Sequence, residues 1–443
     1  MMHFEERKVM KRIGLAAAGM FAAMPVWAQD ASPVMDKGDV SWMMTSSVLV
    51  LFMTIPGLAL FYGGLVRSKN MLSVLMQSTL IACMIMVIWV VYGYSVTFGG
   101  GTSPYWGGFG KLFLAGVGVD SMSATFSAGY VIPEYLFIVF QMTFAAITPI
   151  LIVGAFAERV KFSAVLLFSA IWVTFSYFPV AHMVWDVSGL IFVMGAIDFA
   201  GGTVVHINAG IAALVACLVI GKRIGFRKEN MAPHSMVLTM VGASMLWVGW
   251  FGFNVGSNLE ANGGATLAMI NTFVATAGAT LAWVGIEALG RGKASMLGAA
   301  SGMVAGLVAI TPACGTVGPV GAIALGAIAS GVCYFFVTVI KNRFGYDDSL
   351  DVFGIHGVGG IIGAIGTGLF SAGSLGGTKG VDYSIIGQTV IQIEAVVITL
   401  IWSAVVAYVA LKLVDMLIGL RVDADSERQG LDQTSHGEAA YHG

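Results

Sequence analysis

About eleven apolar runs, each of a length that can cross a bilayer, recur along this chain, and that repetition restricts it to one kind of fold. A hydrocarbon core of about 30 Å takes on the order of 20 helical residues to span. Runs of this kind occupy residues 42–66, 71–98, 132–157, 162–180, 200–220, 236–256, 265–289, 295–310, 317–340, 352–371 and 387–418, the eighth being short and rich in glycine. Only 10% of the 443 residues are charged and 57% are hydrophobic, whereas a soluble domain carries roughly 25% charged residues. Lipid is therefore the solvent this surface is built for. The 59 glycines fit the same reading, because small residues let helices approach closely in a bilayer. The expected fold is an all-α polytopic membrane protein.

The charges between the runs predict its topology. Arg67 and Lys69 follow the first run, Arg159 and Lys161 the third, and Lys222, Arg223, Arg227 and Lys228 the fifth. Arg291 and Lys293 follow the seventh, and Lys341 and Arg343 the ninth, while the intervening loops hold only Lys111 and Lys379. Positive loops are cytoplasmic, so the alternation predicts an outside N-terminus, an odd number of helices and an inside C-terminus. The first residues agree: Arg7, Lys8, Lys11 and Arg12 precede an apolar run from Ile13 to Trp27, with a cleavage-type site at Ala28. Residues 1–28 read as a signal peptide, with Met10 as an alternative start and an uncleaved first helix as the competing reading. Residues 29–418 then form the membrane domain, and 419–443 a polar tail expected to be solvated and partly disordered.

Ionisable side chains inside a membrane are costly and seldom idle. His206 and His356 lie in apolar, glycine-rich runs, each preceded by an aspartate, Asp198 and Asp351. Their matching places point to two inverted five-helix halves followed by a long C-terminal helix, with a site between the halves. A lone buried histidine is as often structural as functional; a matched pair favours a shared site. An imidazole withdrawn from water favours its neutral form and can pass hydrogen bonds between tautomers. Phe140 and Phe144 share one helix face; Trp185 follows the fourth run, and Trp250, Phe253 and Ser257 lie near the end of the sixth. Most aromatic residues in such a chain serve packing or the lipid border. The sharper alternative is a cation–π cage with a hydroxyl beside it, and hydropathy does not decide between them. Cys83, Cys217, Cys314 and Cys333 stand far apart and read as reduced thiols without metal-ligand spacing. The net charge of -2 and the lack of a basic patch argue against a nucleic-acid partner.

At this point the residues carry a resemblance. The segment from Asp198 to Asn208, DFAGGTVVHIN, resembles the signature of the ammonium transporter (Amt/Mep/Rh) family, bacterial Amt type. FYGGLVR at Phe61–Arg67, GAFAER at Gly154–Arg159, WFGFN at Trp250–Asn254, TPACG at Thr311–Gly315 and DVFGIHG at Asp351–Gly357 extend it in order from about Asp39 to the tail. The resemblance implies an outer ammonium site of Trp185, Phe144 and Ser257, with Phe140 beside it. It implies Phe144 and Phe253 as a gate, and His206 and His356, with Trp250, as the lining of an apolar pore. For Asp198 a structural, electrostatic role is expected, capping backbone N–H groups. The chain departs from the family after Trp185, where Asp186-Val187-Ser188-Gly189 replaces a more glycine-rich stretch, and after His356, where Gly357-Val358-Gly359-Gly360 lacks the cysteine of some relatives. The implied function is ammonium uptake across the cytoplasmic (inner) membrane by a homotrimer without a cofactor. A PII-type signal protein on the cytoplasmic face is the implied regulator. The alternative is an ammonium sensor signalling through its tail with little flux; an intramembrane enzyme fits worst, since no nucleophile motif or zinc-type ligand set is present.

Overall fold

Ten helices among the described residues of the computed structural model are long and apolar enough to cross a membrane. The structure describes residues 33–441, so the expected signal segment 1–28 lies outside the described residues. The ten are α1 (Lys37–Leu65), α2 (Ser68–Phe98), α3 (Glu134–Phe156), α4 (Phe162–Val193), α5 (Gly202–Ile220), α6 (Met236–Gly256), α7 (Gly263–Arg291), α9 (Pro319–Phe344), α10 (Phe353–Phe370) and α11 (Ile385–Ile418). The short eighth run forms α8 (Met296–Ile310), an apolar helix below that length. The chain is thus a mostly helical, multi-pass membrane protein.

Local chemistry sets several of the starts. Asp36 accepts the N–H groups of Gly38 and Asp39, and Ser235, Asn262, Ser295 and Ser384 cap α6, α7, α8 and α11 in the same way. Such caps satisfy donors that the first helical turn leaves free. The fourth helix outruns its expected end at 180: its continuous part closes at Trp185, so that tryptophan ends a helix where a loop position was expected.

Two features were not anticipated. On the face opposite the basic loops, strands β1 (Val34–Met35), β2 (Met122–Ala124) and β3 (Tyr130–Pro133) form a small sheet in the order β1-β3-β2. On the basic face the tail is not a free solvated end. It folds into α12 (Ala424–Gln429) and α13 (Leu431–His436) and docks on the loops. Asp432 accepts the N–H groups of Leu72 and Ser73 at 3.0 and 2.8 Å, and Asn70 accepts that of Leu431 at 2.9 Å. Glu427 accepts the Ile224 N–H at 2.6 Å and pairs with Arg421 at 2.8 Å. The reason is polar: buried helix starts need acceptors, and the tail's carboxylates supply them.

Several charges that mark the basic face also build it. Arg223 bridges Glu158 and Asp347 at 3.1 and 2.8 Å, and Arg67 adds to Glu158 at 2.9 Å. The fully buried Arg159 donates to the carbonyls of Gly221, Ala155 and Asp347 and to the Ser349 hydroxyl. Burial alone would raise the Glu158 and Asp347 carboxyls, but the guanidinium groups outweigh it: Arg223 and Arg67 hold Glu158 below its ordinary range, and Arg223 and Arg159 hold Asp347 there. The network draws together the basic ends of α1, α3, α5 and α10, beneath the two histidines.

Candidate functional site

His206 and His356 each sit in a wide, π-helical turn at the start of a helix, at Gly202–Ile207 in α5 and Phe353–Gly357 in α10. Such turns break the regular side-chain rotation and occur often at functional sites. Glycine lets the two helices meet. A methyl group at Gly210 would lie 2.2 Å from the Gly357 nitrogen, so no other residue fits that crossing. The histidine rings are brought to 5.3 Å between centroids at 25°, with their Nδ1 atoms 3.3 Å apart. One Nδ1 donates and the other accepts, so the pair holds complementary tautomers. His206 Nε2 is buried without a partner among the described residues.

Each histidine helix is capped by an aspartate. Asp198 takes four backbone N–H groups, those of Gly201, Gly202, Thr203 and Val204, at 3.0, 2.6, 2.8 and 3.2 Å. These four bonds cap the start of α5. In the second half the corresponding cap is Asp348, not Asp351. Asp348 accepts from Val352 and Phe353 at 3.1 and 2.8 Å, and it precedes its histidine by the same eight positions as Asp198. Asp351 instead accepts from Lys341 at 2.5 Å. Burial pushes the Asp348 carboxyl up to about 6, against the lowering pull of Lys341.

The aromatic residues converge on the same axis. Phe144 and Phe253 stack at 4.0 Å and 18°. Phe140 meets Phe144 edge-on at 4.9 Å, and Trp185 does so at 5.9 Å. Trp250 stacks on His206 at 5.3 Å and 21° and touches Phe253 at 5.6 Å. The Trp185 indole donates to the Asp198 carbonyl at 3.0 Å, which fastens the outermost ring to the capped loop. Ser257 donates back to the Phe253 carbonyl at 2.8 Å, one turn from the stacked phenyl rings. All nine expected side chains are thus joined by ring contacts or hydrogen bonds.

Beneath the phenyl stack lies a narrow lumen of about 10 Å³, lined by apolar side chains such as Leu246, Ile147 and Val304 besides the two histidines. A cavity needs about 10–15 Å³ to hold one water, so this lumen has room for about one small molecule. His356, Phe61 and Val304 line both this lumen and a vestibule of about 170 Å³ on the basic face, whose wall includes Ser301, Ser349 and Asp351. The arrangement can attract a cation by aromatic faces, exclude hydrated ions by width, and offer hydrogen bonds only at the histidines.

Three further buried polar residues were given no role from the sequence, Thr311 being quoted there only as the start of a motif. His182, fully buried, has Thr97 O at 2.6 Å from Nδ1 and Ser103 O at 2.8 Å from Nε2. Both partners only accept, so both bonds form together only when each nitrogen carries a proton. Its place just past the expected end of the fourth run hid it. Gln392 on α11 clamps the Ile197 backbone from both sides, its Oε1 accepting at 2.7 Å and its Nε2 donating at 2.7 Å, and also donates to Ala364 O on α10. For Gln392 the available signal was a polar side chain inside the last apolar run. Thr311, in the turn after α8, accepts the Trp250 indole N–H at 2.9 Å.

The sequence model of the Ammonium Transporter Family matches residues 41–441. An ammonium transporter of Aquifex aeolicus is 48% identical over 92% of this chain and 94% of its own length. One of Bacillus subtilis is 46% identical over 92% and 99%. Among solved structures, Mep2 of Saccharomyces cerevisiae superposes with a TM-score of 0.79 at 32% identity, covering 88% of both chains. A protein described as a sensor Amt protein gives 0.83 at 27% identity, covering 90% of this chain and 98% of its own.

Proposed function

The chain belongs to the ammonium transporter family, and from that premise we propose that it carries ammonium into the cell across the cytoplasmic membrane. The observation that carries the mechanism is the close histidine pair sealed from the mouth by the Phe144–Phe253 stack. Trp185, Phe144, Phe140 and Ser257 recruit the cation, whose charge is attracted by aromatic faces. Ammonium and potassium have nearly the same size, so a carbonyl filter discriminates poorly between them. An apolar lumen costs either bare ion several kcal/mol or more, but ammonium alone can shed its proton. Deprotonation then occurs at the phenyl gate, the proton staying outside when passage is neutral, and ammonia passes along His206 and His356, which accept and donate hydrogen bonds in turn. A relayed proton follows the same pair if transport carries current.

Further parts of the reading follow from the family. The signal peptide 1–28 is removed, the membrane domain 29–418 assembles as a homotrimer, and the tail 419–443 is regulatory. A PII-type protein docks over the vestibule on the basic face, which is cytoplasmic. A second reading, an ammonium sensor that signals through its tail, draws on the hydrogen bonds of Asp432 to α2 and on the likeness to the sensor Amt protein.

The test is the current of proteoliposomes on a solid support after an ammonium pulse, with potassium as control, for the unmodified protein and for His206→Ala with His356→Ala. Current for ammonium alone, lost or made unselective in the double variant, supports the histidine pathway. Internal pH change without current supports neutral ammonia passage. Ammonium binding with neither signal sinks the transport reading in favour of the sensor.

A further inference from the structure

Trp250 is the only residue whose ring touches both His206 and Phe253 among the described aromatic contacts. Its face forms part of the lumen wall. An indole has one polar edge, and rotation about the Cβ–ring bond can turn that edge either way. Turned inward, the N–H would offer a fixed hydrogen-bond donor to water beside the histidine pair. Turned outward, it leaves the lumen wall apolar. The structure holds it outward by a chain of side chains that links two helices through a turn.

Trp250 Nε1 donates to Thr311 Oγ1 at 2.9 Å. Thr311 Oγ1 lies 3.2 Å from Asn254 Oδ1 and 2.8 Å from Leu307 O, and its single proton serves one of these acceptors at a time. Asn254 Nδ2 donates to Thr272 Oγ1 at 3.1 Å, and Thr272 donates to Ala268 O at 2.7 Å. All four side chains are buried. The chain begins on α6, runs through the turn after α8 and ends on α7. The contrast with other tryptophans is informative: the buried indole nitrogens of Trp42, Trp172, Trp247 and Trp283 have no partner among the described residues. The indoles of Trp89, Trp185 and Trp402 donate to backbone carbonyls, whereas the indole beside the histidines donates to a side-chain hydroxyl.

We propose that Thr311, oriented by Asn254 and Thr272, is a positioning residue for selectivity that fixes the Trp250 face against His206 and so holds the lumen dry and narrow. The proposal rests on the transport reading. With room for about one small molecule in a cavity of about 10 Å³, a modest swing of the largest side chain in the wall changes what can enter. Once water enters, an ion is no longer required to shed its hydration shell, and the barrier that separates potassium from ammonium falls.

The test uses the full chain in proteoliposomes, with Thr311→Val, which keeps the shape and removes the hydroxyl, and Thr311→Ser, which keeps the hydroxyl. The ratio of ammonium to potassium flux is expected to fall at least tenfold in Thr311→Val and to stay within twofold in Thr311→Ser. The half-saturating ammonium concentration is expected to stay within twofold in both, because the outer rings are untouched. A folded Thr311→Val with an unchanged ratio overturns the proposal, and so does an equal loss in both variants, which would make the effect one of packing. Should Thr311→Val fail to fold, Asn254→Leu is read by the same ratio, and no loss there is equally decisive. A second readout does not depend on transport. In protein labelled with 5-fluorotryptophan, the ¹⁹F resonance that disappears in Trp250→Phe is expected to shift or split in Thr311→Val and to remain in place in Thr311→Ser. An unmoved resonance overturns the positioning role even where flux changes; a moved resonance in a protein that passes no ammonium overturns the transport reading instead.

Discussion

Replacing Asp198 by asparagine changes almost no volume and removes half of its accepting capacity. The carboxylate receives four N–H groups, two on each oxygen. Asparagine keeps one oxygen and turns an NH₂ toward the remaining two donors. Each buried N–H left unpaired costs about 1–3 kcal/mol, so two cost roughly 2–6 kcal/mol, before any loss of charge at the helix start. Asp348→Asn is the internal control, since Asp348 receives one N–H on each oxygen and loses only one, about 1–3 kcal/mol. Equilibrium unfolding of the purified protein in mixed micelles is expected to rank Asp198→Asn below Asp348→Asn, and both below the unmodified chain. The consequence should reach the mouth, because the Asp198 carbonyl holds the Trp185 indole. Half-saturating ammonium is expected to rise in Asp198→Asn and to change less in Asp348→Asn. Equal stability of Asp198→Asn and the unmodified protein would refute the capping argument; a stability loss with unchanged ammonium dependence would refute its link to the outer site.

Phe253→Ala removes one ring of the stack that closes the lumen and should lower the ratio of ammonium to potassium flux, measured in the same liposomes. Gln392→Leu leaves the Ile197 N–H and carbonyl without their clamp, at about 1–3 kcal/mol for each orphaned group, and unfolding midpoints should register it; Gln392→Glu should restore only the bond from the Ile197 N–H. Asp432→Ala removes the tail's cap on α2, a loss of about 0.5–2 kcal/mol, and limited proteolysis is expected to cut residues 419–441 faster while leaving the membrane core intact. The Glu158 and Asp347 carboxyls lie below their ordinary range, so the stability they contribute is fully present above the unfolded carboxylate pKa and is lost as pH falls through the folded values. Unfolding midpoints measured from pH 7 down to pH 3 should drop, and the drop should shrink in Glu158→Gln with Asp347→Asn.

What could be read in the sequence and what could not follow one physical division. Helices in lipid are dictated by long apolar runs, which are local, so their approximate places and the unusual cost of His206 and His356 were legible without coordinates. The aromatic cluster became legible through motif resemblance alone, because hydropathy gives Phe144 and Phe253 the same value whether they face lipid or a lumen. The rest depends on partners that are distant in sequence. Asp351 stood nearer His356 and drew attention, yet the capping role fell to Asp348, since only a side chain placed behind the wide turn can reach the free N–H groups of Val352 and Phe353. The tail looked dispensable because it is polar, and it is held because its polarity matches the unsatisfied starts of α2 and the loop at Ile224. Thr311 and Gln392 were passed over as uncharged residues in apolar stretches. In a membrane protein those are the residues to question next, for a buried hydroxyl or amide must find a partner, and here the partners are the backbone and the indole that shape the site.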